Sequence, residues 1–575
     1  MMRGFELWKG ISIGWAVALC TLVLSLSVAL VAQSGAAQSG RIEFRSFEYR
    51  GEDSLTQPVT LKAGEYRNPI LAGFYPDPSM VRVGDDYYLV NSSFAWYPGV
   101  PIFHSRDLVN WKQIGHVLDR PEQLQLDGAG VSRGIFAPSI RFHNGLFYMI
   151  TTDIDGMGNF YVTAKNPAGP WSKPVALPEI RGIDPSFFFD DNGKAYIIHN
   201  GEPPANKPLY SGHRALYLFP FDVTAGKVSG PGKIIVNGGT DIAKKPVWIE
   251  GPHIFKHNGF YYLIAAEGGT SEDHSEVVFR SKNVDGPYES YANNPILTQR
   301  TMSPSRPDPI TSTGHADIVE TPNGEWWVIF LGCEPYADDM YNTGRETFML
   351  PVKWVDGWPV ILESGKVVPR VVKRPALPKG PVTPPMTGPF QWTADFRGKQ
   401  LPFDLTTLRT PKSQWWSLDA SRNALFLEPR AEDLDSKHDL SMVARRQQHA
   451  RFSSSVEVRF AKDDKPSDAG LVAFQNETHS YFVGVRLSPQ GQRTVFLEKR
   501  NDGISQVASA ELPRGLSGLK LKVEGDGAKY RFYYQASGKD WKQIGDEQDG
   551  TILSTKKAGG FVGTYIGLFA RSVSK

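Results

Sequence analysis

The chain has 575 residues, more than a single hydrophobic core normally serves, so two domains are expected. Its formal net charge is only +2 and its pI is about 8.2, which gives no broad positive field for binding a nucleic acid. An aromatic content of 12% and 56 glycines favour sheets and turns over helical bundles. The cysteines are Cys20 and Cys333, and two such distant thiols exclude a disulfide framework.

Residues 1–37 have the composition of a targeting segment. Arg3 and Lys9 precede an apolar run at 11–32, and small and polar residues follow this run. The order is typical of a secretory signal peptide and predicts a secreted or periplasmic protein. The run is nearly long enough to span a bilayer, so an uncleaved membrane anchor that holds the remaining chain outside the cytoplasm is the alternative. Only in that case would a membrane be a partner.

A short phrase recurs five times after a polar lead-in at 38–65. Each copy contains a small or charged residue, usually a proline, then a few apolar residues, a polar turn and paired aromatics. Such a phrase is typical of two β-strands joined by a tight turn, because β-branched and aromatic residues flank a segment that needs left-handed backbone. The copies begin at Asp77, Ala137, Asp184, Gly251 and His315.

Successive copies are 47 to 67 residues apart, and each interval has room for about four short strands. Repeats of this length predict a five-bladed β-propeller over 66–366. Residues 367–389 are rich in proline and basic residues and predict an extended linker. Short alternating strands then predict a C-terminal antiparallel β-sandwich over 390–575. The predicted fold class is therefore all-β.

Three copies carry an acid at or beside the same position: Asp77, Asp184 and Glu250, the last of them one place early. Equivalent positions of a propeller converge on its axis, so these carboxyl groups are expected in one small space. Hydrolysis of a glycosidic bond needs a protonated carboxylic acid and an ionised carboxylate, and a third acid raises the pKa of the proton donor. The alternative is that the acids only cap turns. A cap would recur in every copy, whereas Ala137 and His315 occupy the other two positions.

Longer phrases surround these positions. They are NPILAGFYPDPS from Asn68, SSFAWYPGVPIFHSRDLVNW from Ser92, GIDPSFFFDDNGKAY from Gly182, IEGPHIFKHNGFYYL from Ile249, TGHADIVETPNGEWW from Thr313 and GRETFMLPV from Gly344. In order and context they resemble family 43 of the glycoside hydrolases, most closely its β-xylosidase and α-L-arabinofuranosidase branch. The resemblance runs from about Tyr66 to the C-terminus, including the second domain.

This resemblance implies an inverting glycosidase that works by a single displacement. Asp77 would be the general base that activates water, and Glu250 would be the general acid. Asp184 would raise the pKa of the acid and orient it. A bell-shaped dependence of activity on pH is expected from such a pair.

The resemblance also implies substrate-binding aromatic residues. Trp96 would stack on a sugar ring with Phe94 beside it, and the ordinary propeller core is the alternative for both. Phe136 stands where relatives usually have tryptophan, which leaves the shape of that wall open. Phe561 would reach the pocket mouth from the second domain, with a buried position inside the sandwich as an equal alternative.

Two polar residues complete the expected pocket. By the resemblance, Arg345 would contact sugar hydroxyls and the acids at the pocket floor, whereas a surface ion pair with Glu346 is the alternative. His315 would lie near the axis, where some relatives use this histidine to help hold calcium. Calcium prefers six to eight oxygen ligands, and the sequence does not indicate such a set around His315. No cofactor and no catalytic metal are predicted, and a structural calcium ion stays open.

The leading prediction is an exo-acting glycoside hydrolase that releases terminal xylose, arabinofuranose or both from xylan-derived oligosaccharides. An endo-acting arabinan or xylan hydrolase would need an open groove, which a contribution of the second domain at the mouth disfavours. A non-catalytic carbohydrate-binding protein on the same scaffold would need no proton donor, so the three acids disfavour it. The expected partner is the oligosaccharide, and the sequence does not determine the oligomeric state.

Overall fold

A computed structural model describes residues 40–573 apart from 53–57, 304, 462–464 and 539. The predicted targeting segment at 1–37 lies outside these described residues. Within them the helices are short and are found at Thr555–Ala558, Pro204–Asn206, Ile242–Lys244 and Gly550–Leu553. No helix in the described part of the chain is long and apolar enough to cross a membrane. The prediction of an all-β chain is confirmed.

Five antiparallel sheets form the blades of a propeller, and the first strand of each blade contacts its counterparts around the axis. Blade 1 contains Ser79–Val83, Asp86–Val90, Gly99–Ser105 and Lys112–Leu118, and blade 2 contains Ser139–His143, Leu146–Asp153, Gly158–Ala164 and Val175–Ala176. Blade 3 contains Ile183–Phe189, Ala195–Gly201, Ala215–Asp222, Lys227–Val228 and Lys233–Asn237. Blade 4 contains Glu250–His257, Phe260–Glu267, Ser275–Ser281, Glu289–Ser290 and Leu297–Thr298, and blade 5 contains Thr311–Glu320, Trp326–Cys333 and Glu346–Pro351. The five-bladed propeller is therefore confirmed.

The hairpins at the start of the blades follow from their turn residues. In blade 2, Asn144 and Gly145 have φ of +49° and +79°, and in blade 4, Asn258 and Gly259 have φ of +48° and +74°. Two left-handed residues in a row make the type I′ turn that matches the twist of an antiparallel pair. These Asn-Gly pairs thus determine where the first two strands of blades 2 and 4 turn back.

The ring closes between the segment before blade 1 and the last blade. Leu71 forms a β-bridge with Thr347, and the Asn68 side chain exchanges two hydrogen bonds of 2.9 Å with the backbone of Met349. Short strands flank this closure: Glu65–Arg67 pairs with Val371–Lys373, and Lys353–Val355 pairs with Trp358–Val360. Closure fixes the first blade relative to the fifth, and this fixes the distances across the axis.

Two further sheets form the C-terminal sandwich. One runs in the order Trp416–Asp419, Ala424–Leu427, Ile42–Gly51, Arg451–Arg459, Gly518–Asp526, Lys529–Gln535 and Lys542–Gln543, with Phe390–Thr393 beside Ile42–Gly51 and Gln548–Asp549 beside Lys529–Gln535. The other runs in the order Ile504–Glu511, Arg493–Asn501, His479–Leu487, Ser467–Asn476, Tyr565–Ser572, Met442–Arg446, Thr406–Leu408 and Trp96–Tyr97. Alternate residues of the facing strands form one buried apolar core between the sheets.

Part of the predicted lead-in is instead an interior strand of the sandwich. Residues Ile42–Gly51 pair with Arg451–Arg459 on one side and Ala424–Leu427 on the other. Phe44 and Phe47 are fully buried in the sandwich core. The chain therefore begins its described part in the second domain, and the prediction that 38–65 is only a polar lead-in is wrong for this strand. Its apolar side chains are buried by strands that lie hundreds of residues later in the chain.

The proline-rich segment at 367–389 runs along the propeller. Val371–Lys373 pairs with the strand before blade 1. Asp107 of blade 1 accepts hydrogen bonds from Arg374 at 2.6 Å and from the Gly380 amide at 2.7 Å. The segment is thus an extended strap that is bound to the propeller at several points.

The two domains share both a sheet and a core. Trp96 and Tyr97 belong to blade 1 by sequence, yet they pair with Leu408 and Thr407 of the sandwich. A second apolar cluster combines side chains of both domains, including Trp96, Phe74 and Tyr565. A large apolar interface holds domains in one relative position. A loop of the sandwich can therefore form a fixed wall of a site on the propeller.

Candidate active site

Four of the five repeated positions at the axis have left-handed backbone. The φ angle is +50° at Asp77, +54° at Asp184, +57° at Gly251 and +53° at His315. In blades 3, 4 and 5 this residue lies inside a β-bulge, where the ladder of hydrogen bonds shifts. Bulges re-aim side chains, and strained backbone clusters at functional sites. The bulges of blades 3 and 5 contain Asp184 and His315, whose side chains line the cavity, and the bulge of blade 4 begins at Glu250.

The three acids meet in one cavity of about 350 Å³ at the axis. Asp77, Asp184 and Glu250 line the cavity, and each side chain is almost completely buried. The predicted pocket residues that also line it are Phe94, Phe136, His315, Arg345 and Phe561. The convergence expected from the repeat is therefore present in the structure.

Asp77 is held by charged and polar partners. Its Oδ1 forms an ion pair with Arg345, and the Ser92 hydroxyl donates a hydrogen bond of 2.6 Å to its Oδ2. The Nδ1 atom of His315 lies 3.9 Å from Oδ1. Arg345 thus faces the acid in the cavity, and the alternative of an ion pair with Glu346 is not found. Glu346 points away and accepts the Gly73 amide at 2.5 Å.

Glu250 differs from Asp77 because the charged groups that influence it most are two other acids. Burial raises the pKa of Glu250 well above its usual value, and the negative charges of Asp184 and Asp77 raise it further. The Trp248 side chain donates a hydrogen bond to this carboxyl group, and the Thr270 hydroxyl lies 3.5 Å from Oε1. A carboxyl group with a raised pKa keeps its proton near neutral pH. Glu250 can therefore act as a proton donor.

Asp184 is a second buried acid whose pKa is raised. Burial raises its pKa to about 6, His315 opposes the rise, and the charge of Asp77 adds to it. Its carboxylate accepts a hydrogen bond from the backbone amide of Gly251, the residue after Glu250. When ionised, Asp184 is the largest charged contributor to the raised pKa of Glu250. Glu250 thus has the raised pKa that a general acid needs, whereas Asp77 is paired with the Arg345 cation.

Three phenyl rings form one wall of the cavity. The ring of Phe94 lies 5.3 Å from that of Phe136 and 6.3 Å from that of Phe561. Phe94 and Phe136 belong to the propeller, whereas Phe561 belongs to the sandwich and leaves 43% of its surface exposed. The Phe561 amide donates to Ser132 at 2.9 Å, and its carbonyl oxygen accepts from Arg345 at 3.3 Å. The second domain therefore completes the pocket mouth.

The cavity is blind because polar side chains close the axis beneath it. Asp317 lies two residues beyond His315, after the β-bulge, and its side chain contacts residues of blades 1 and 2. It accepts hydrogen bonds from Ser79 at 2.6 Å and from Arg141 at 2.8 Å and 3.1 Å. Arg141 also contacts Nδ1 of His253 at 2.9 Å. Substrate can therefore enter this cavity only from the mouth.

Two family models match the chain. The model described as Glycosyl hydrolases family 43 matches residues 66–359, and the one described as Beta xylosidase C-terminal Concanavalin A-like domain matches residues 393–575. The chain belongs to glycosyl hydrolase family 43. It is a glycosidase, and family 43 enzymes act with inversion of the anomeric centre.

Relatives match nearly the whole chain. A "Xylosidase/arabinosidase" of Butyrivibrio fibrisolvens is 38% identical over 512 residues, which are 88% of this chain and 96% of that protein. "Non-reducing end alpha-L-arabinofuranosidase BoGH43B" of Bacteroides ovatus is 36% identical over 519 residues, 89% of this chain and 92% of that protein. The crystal structure of a GH43_12 retrieved from a capybara gut metagenome has a TM-score of 0.85 and 41% identity, covering 92% of this chain and 99% of that one.

One predicted pocket residue of this family 43 enzyme lies elsewhere. Trp96 is 1% exposed and does not line the cavity. Its indole stacks on Tyr565 of the sandwich with ring centroids 3.6 Å apart, and its strand pairs with Leu408. The prediction that Trp96 stacks on a sugar is therefore wrong here, because strand pairing with the sandwich turns this side chain into the core between the domains. Phe94, two residues earlier, takes the position in the wall.

The cavity also contains residues that the sequence analysis missed. They are Ala137, Ile183, Val247, Trp248, Gly269 and Thr270. Trp248 has φ of +58°, and the Arg214 guanidinium lies 4.1 Å from its ring centroid. An aromatic residue two places before the acid was the available signal for Trp248. Thr270 had none, because it lies in a loop between strands whose path the sequence does not fix.

The described residues contain no group of three or more histidine, cysteine, aspartate or glutamate side chains that could hold a metal ion. His315 instead faces Asp77, which already binds Arg345 and Ser92. A structural calcium ion, which some relatives hold with this histidine, stays open.

Proposed function

We propose that this family 43 enzyme removes a terminal xylose or arabinofuranose unit from xylan-derived oligosaccharides. The observation that carries the proposal is a blind cavity in which three buried acids meet, and in which burial and two acidic neighbours raise the pKa of Glu250. The names of the relatives, which include xylosidases and arabinofuranosidases, support a pentose as the sugar that enters the cavity.

The proposed reaction is one displacement at the anomeric carbon. Asp77 accepts a proton from a water molecule, and the oxygen of this water forms the new bond to the anomeric carbon. Glu250 gives its proton to the leaving oxygen as the glycosidic bond breaks, and the sugar is released with inverted configuration. Asp184 raises the pKa of the donor through its charge. Phe94 offers an apolar face to the CH groups of the pentose.

Exo action follows from the shape of the site. A polymer could cross an open groove, but here Phe561 stands at the mouth and the network around Asp317 closes the axis below. Only a chain end fits such a cavity. An endo-acting hydrolase is thereby disfavoured, and so is a protein that only binds carbohydrate, since binding alone needs no protonated Glu250.

The direct test is a release assay with xylobiose beside arabinosylated xylo-oligosaccharides. We expect free pentose as the first product and the inverted anomer by NMR at early times. Glu250→Gln is expected to lower kcat on these substrates by about 10²- to 10⁴-fold, the usual contribution of a general acid. Glu363→Gln, which changes an exposed acid, is the matched control. Internal fragments released from polymeric xylan, or full activity of Glu250→Gln on xylobiose, would contradict the proposal.

We also propose that the enzyme acts outside the cytoplasm. The support is the apolar run at 11–32 behind Arg3 and Lys9. N-terminal sequencing of the protein from its native host tests this proposal. A start near residue 33 or 38 in the soluble extracellular or periplasmic fraction is expected, whereas an intact N-terminus in the membrane fraction would support the anchor, and one in the cytosol would refute export.

A further inference from the structure

One short segment of the sandwich reaches across to the mouth of the cavity. It runs from Ser554 to Phe561 and contains the α-helical turn Thr555–Ala558. At its start the Ser554 hydroxyl accepts the backbone amide of Tyr341 in the propeller at 3.0 Å. At its end Phe561 contacts Ser132 and Arg345 through its backbone. Both ends of the segment are thus bound to the propeller.

The middle of this segment carries a cation that also crosses the domain boundary. The Nζ atom of Lys556 lies 2.5 Å from Oε1 of Glu272 and 3.4 Å from Oδ2 of Asp339, both in the propeller. Asp339 also accepts a hydrogen bond of 3.2 Å from the Thr311 hydroxyl. Burial is the largest cause of the raised pKa of Asp339, the charge of Glu272 raises this pKa further, and the charge of Lys556 lowers it. Lys556 therefore lies between two acids of the propeller and reduces their mutual repulsion.

Glu272 belongs to a loop that touches the proton donor. This loop, 268–274, connects two strands of blade 4, and its residues Gly269 and Thr270 line the cavity. The Thr270 hydroxyl lies 3.5 Å from Oε1 of Glu250. The base of the loop is held by a hydrogen bond of 2.8 Å from the Gly268 amide to Val247. Its outer end is held by the ion pair of Glu272.

We propose that Lys556 is a positioning residue that sets the width of the pocket mouth on the leaving-group side. Its ion pair ties loop 268–274, which carries Thr270, to the segment that carries Phe561. The leaving oxygen must lie beside Glu250 to receive its proton, so the departing sugar passes between these two walls. In this proposal the departing sugar contacts these two walls, and the terminal pentose is held by the acids and by Phe94. The inference rests on the proposed function and assigns Lys556 to recognition of the leaving sugar.

This role differs from simple stabilisation of the fold. The side chains of Lys556 and Glu272 are each 47% exposed, and exposed ion pairs add little to global stability, whereas the Asp339 side chain is only 7% exposed. Glu272→Gln, which leaves the contact between Lys556 and Asp339 in place, should therefore leave the melting temperature almost unchanged, although the loop and the segment lose their fixed relative position. The change should be seen in KM for a substrate with a leaving sugar.

Lys557 provides a matched control in the next position of the chain. Its side chain is 43% exposed, and it pairs with Asp549 at 3.2 Å within the sandwich alone. Lys556→Met and Lys557→Met remove the same charge from the same helical turn, but only the first breaks a contact between the domains.

The experiment compares these variants in the full chain on xylobiose, or on an arabinosylated xylo-oligosaccharide if that is the better substrate. Lys556→Met is expected to raise KM about three- to fivefold, the range for loss of one exposed ion pair, with kcat changed less than about twofold. Inhibition by the free pentose, which fills only the inner cavity, is expected to be unchanged. Glu272→Gln should reproduce the rise in KM, Lys556→Arg should largely restore it, and Lys557→Met should match the unmodified enzyme.

The outcomes separate the two proposals. If the unmodified enzyme releases pentose and Lys556→Met behaves like Lys557→Met, the inference is wrong and the proposed function stands. Weaker inhibition by the free pentose in Lys556→Met would also overturn the inference, because it would mean that the inner cavity itself is disturbed. If the unmodified enzyme releases no pentose from either substrate, the proposed function fails and the inference fails with it.

Discussion

Gly251 lies directly against the imidazole of His315. A Cβ atom at Gly251 would come within 2.8 Å of Nε2 of His315, and the backbone there is left-handed with φ of +57°. The Gly251 amide donates to the carboxylate of Asp184, and the preceding residue is Glu250. One residue without a side chain thus permits an acid, its charged neighbour and the histidine to approach each other at the axis.

Gly251→Ala is expected to lower kcat/KM on xylobiose by at least about tenfold, because small displacements of catalytic groups are costly. The added methyl group must push the His315 ring or the strand of Glu250 aside. The measurement is steady-state kinetics on protein whose circular dichroism shows an unchanged fold.

Gly259→Ala separates this effect from backbone strain. Gly259 has φ of +74°, and its Cβ would meet nothing within 4 Å. Both variants carry the cost of a left-handed alanine, about 1 kcal/mol. Activity should fall only in Gly251→Ala, and an equal loss in the two variants would show that contact with His315 is unimportant.

The alkaline limit of activity should depend on Asp184. Glu250 must be protonated to act, so activity is lost as the pH rises through its raised pKa. The charge of Asp184 contributes to this raised pKa. Asp184→Asn removes the charge, and we expect the alkaline limb of kcat/KM to move to lower pH.

The control for this pH profile is Asp190→Asn, which changes an acid directly after the strand Ile183–Phe189 that carries Asp184. The Asp190 side chain is also buried, but its partners are Lys256 and Tyr261, outside the cavity. Its alkaline limb should coincide with that of the unmodified enzyme. A limb that stays in place in Asp184→Asn, or moves to higher pH, would exclude charge repulsion as the cause of the raised pKa of Glu250.

The sequence predicts much of the propeller because the signals for its hairpins are local. Turns such as Asn144-Gly145 and Asn258-Gly259 lie between strands that are adjacent in the chain. The spacing of the repeat also predicts that Asp77, Asp184 and Glu250 converge, since equivalent positions of a closed ring face one axis. Local patterns and symmetry are therefore sufficient for the scaffold and its acids.

Contacts between the domains have no local signal. The strand Ile42–Gly51 alternates apolar and polar residues, but its partners begin near residues 424 and 451, so the local sequence predicts only a lead-in. The local sequence also predicts Trp96 in the pocket, whereas pairing with Leu408 buries it against Tyr565. Both errors arise because distant residues decide which face of a strand is covered.

The buried acid Glu346 should make the fold less stable at higher pH. Burial raises its pKa from 4.5 to about 8 in the folded protein. Between these values the folded state binds a proton that the unfolded state has released, so the free energy of unfolding falls as the pH rises through this interval. Glu346→Gln cannot ionise, and its amide oxygen can still accept the Gly73 amide. Its melting temperature is expected to fall less between pH 5 and pH 8 than that of the unmodified enzyme.

Calorimetry across this pH range measures the effect, with Glu363→Gln as the control because that acid is 64% exposed. The control should follow the unmodified enzyme at every pH. Glu250 and Glu276 have pKa values raised in the same direction by burial, so the slope should decrease in Glu346→Gln without vanishing. An unchanged slope would mean that Glu346 is ionised in the folded protein throughout the range.

Phe561 provides the last test, because it is the sandwich residue at the pocket mouth. Its ring is 43% exposed and adjoins Phe94 and Phe136, so truncation removes part of the wall without opening the protein core. Phe561→Ala is expected to raise KM for xylobiose about tenfold, as the loss of roughly 1.4 kcal/mol of apolar contact would do, with a smaller change in kcat.

Phe403→Ala is the matched control, since Phe403 is 45% exposed but lines a different groove between the domains. Both variants lose one half-exposed phenyl ring, so their melting temperatures should be similar. Only Phe561→Ala should alter KM, because Phe561 lines the cavity and Phe403 does not. Equal KM values in the two variants would mean that substrate does not contact the sandwich, and the cavity would then be a property of the propeller alone.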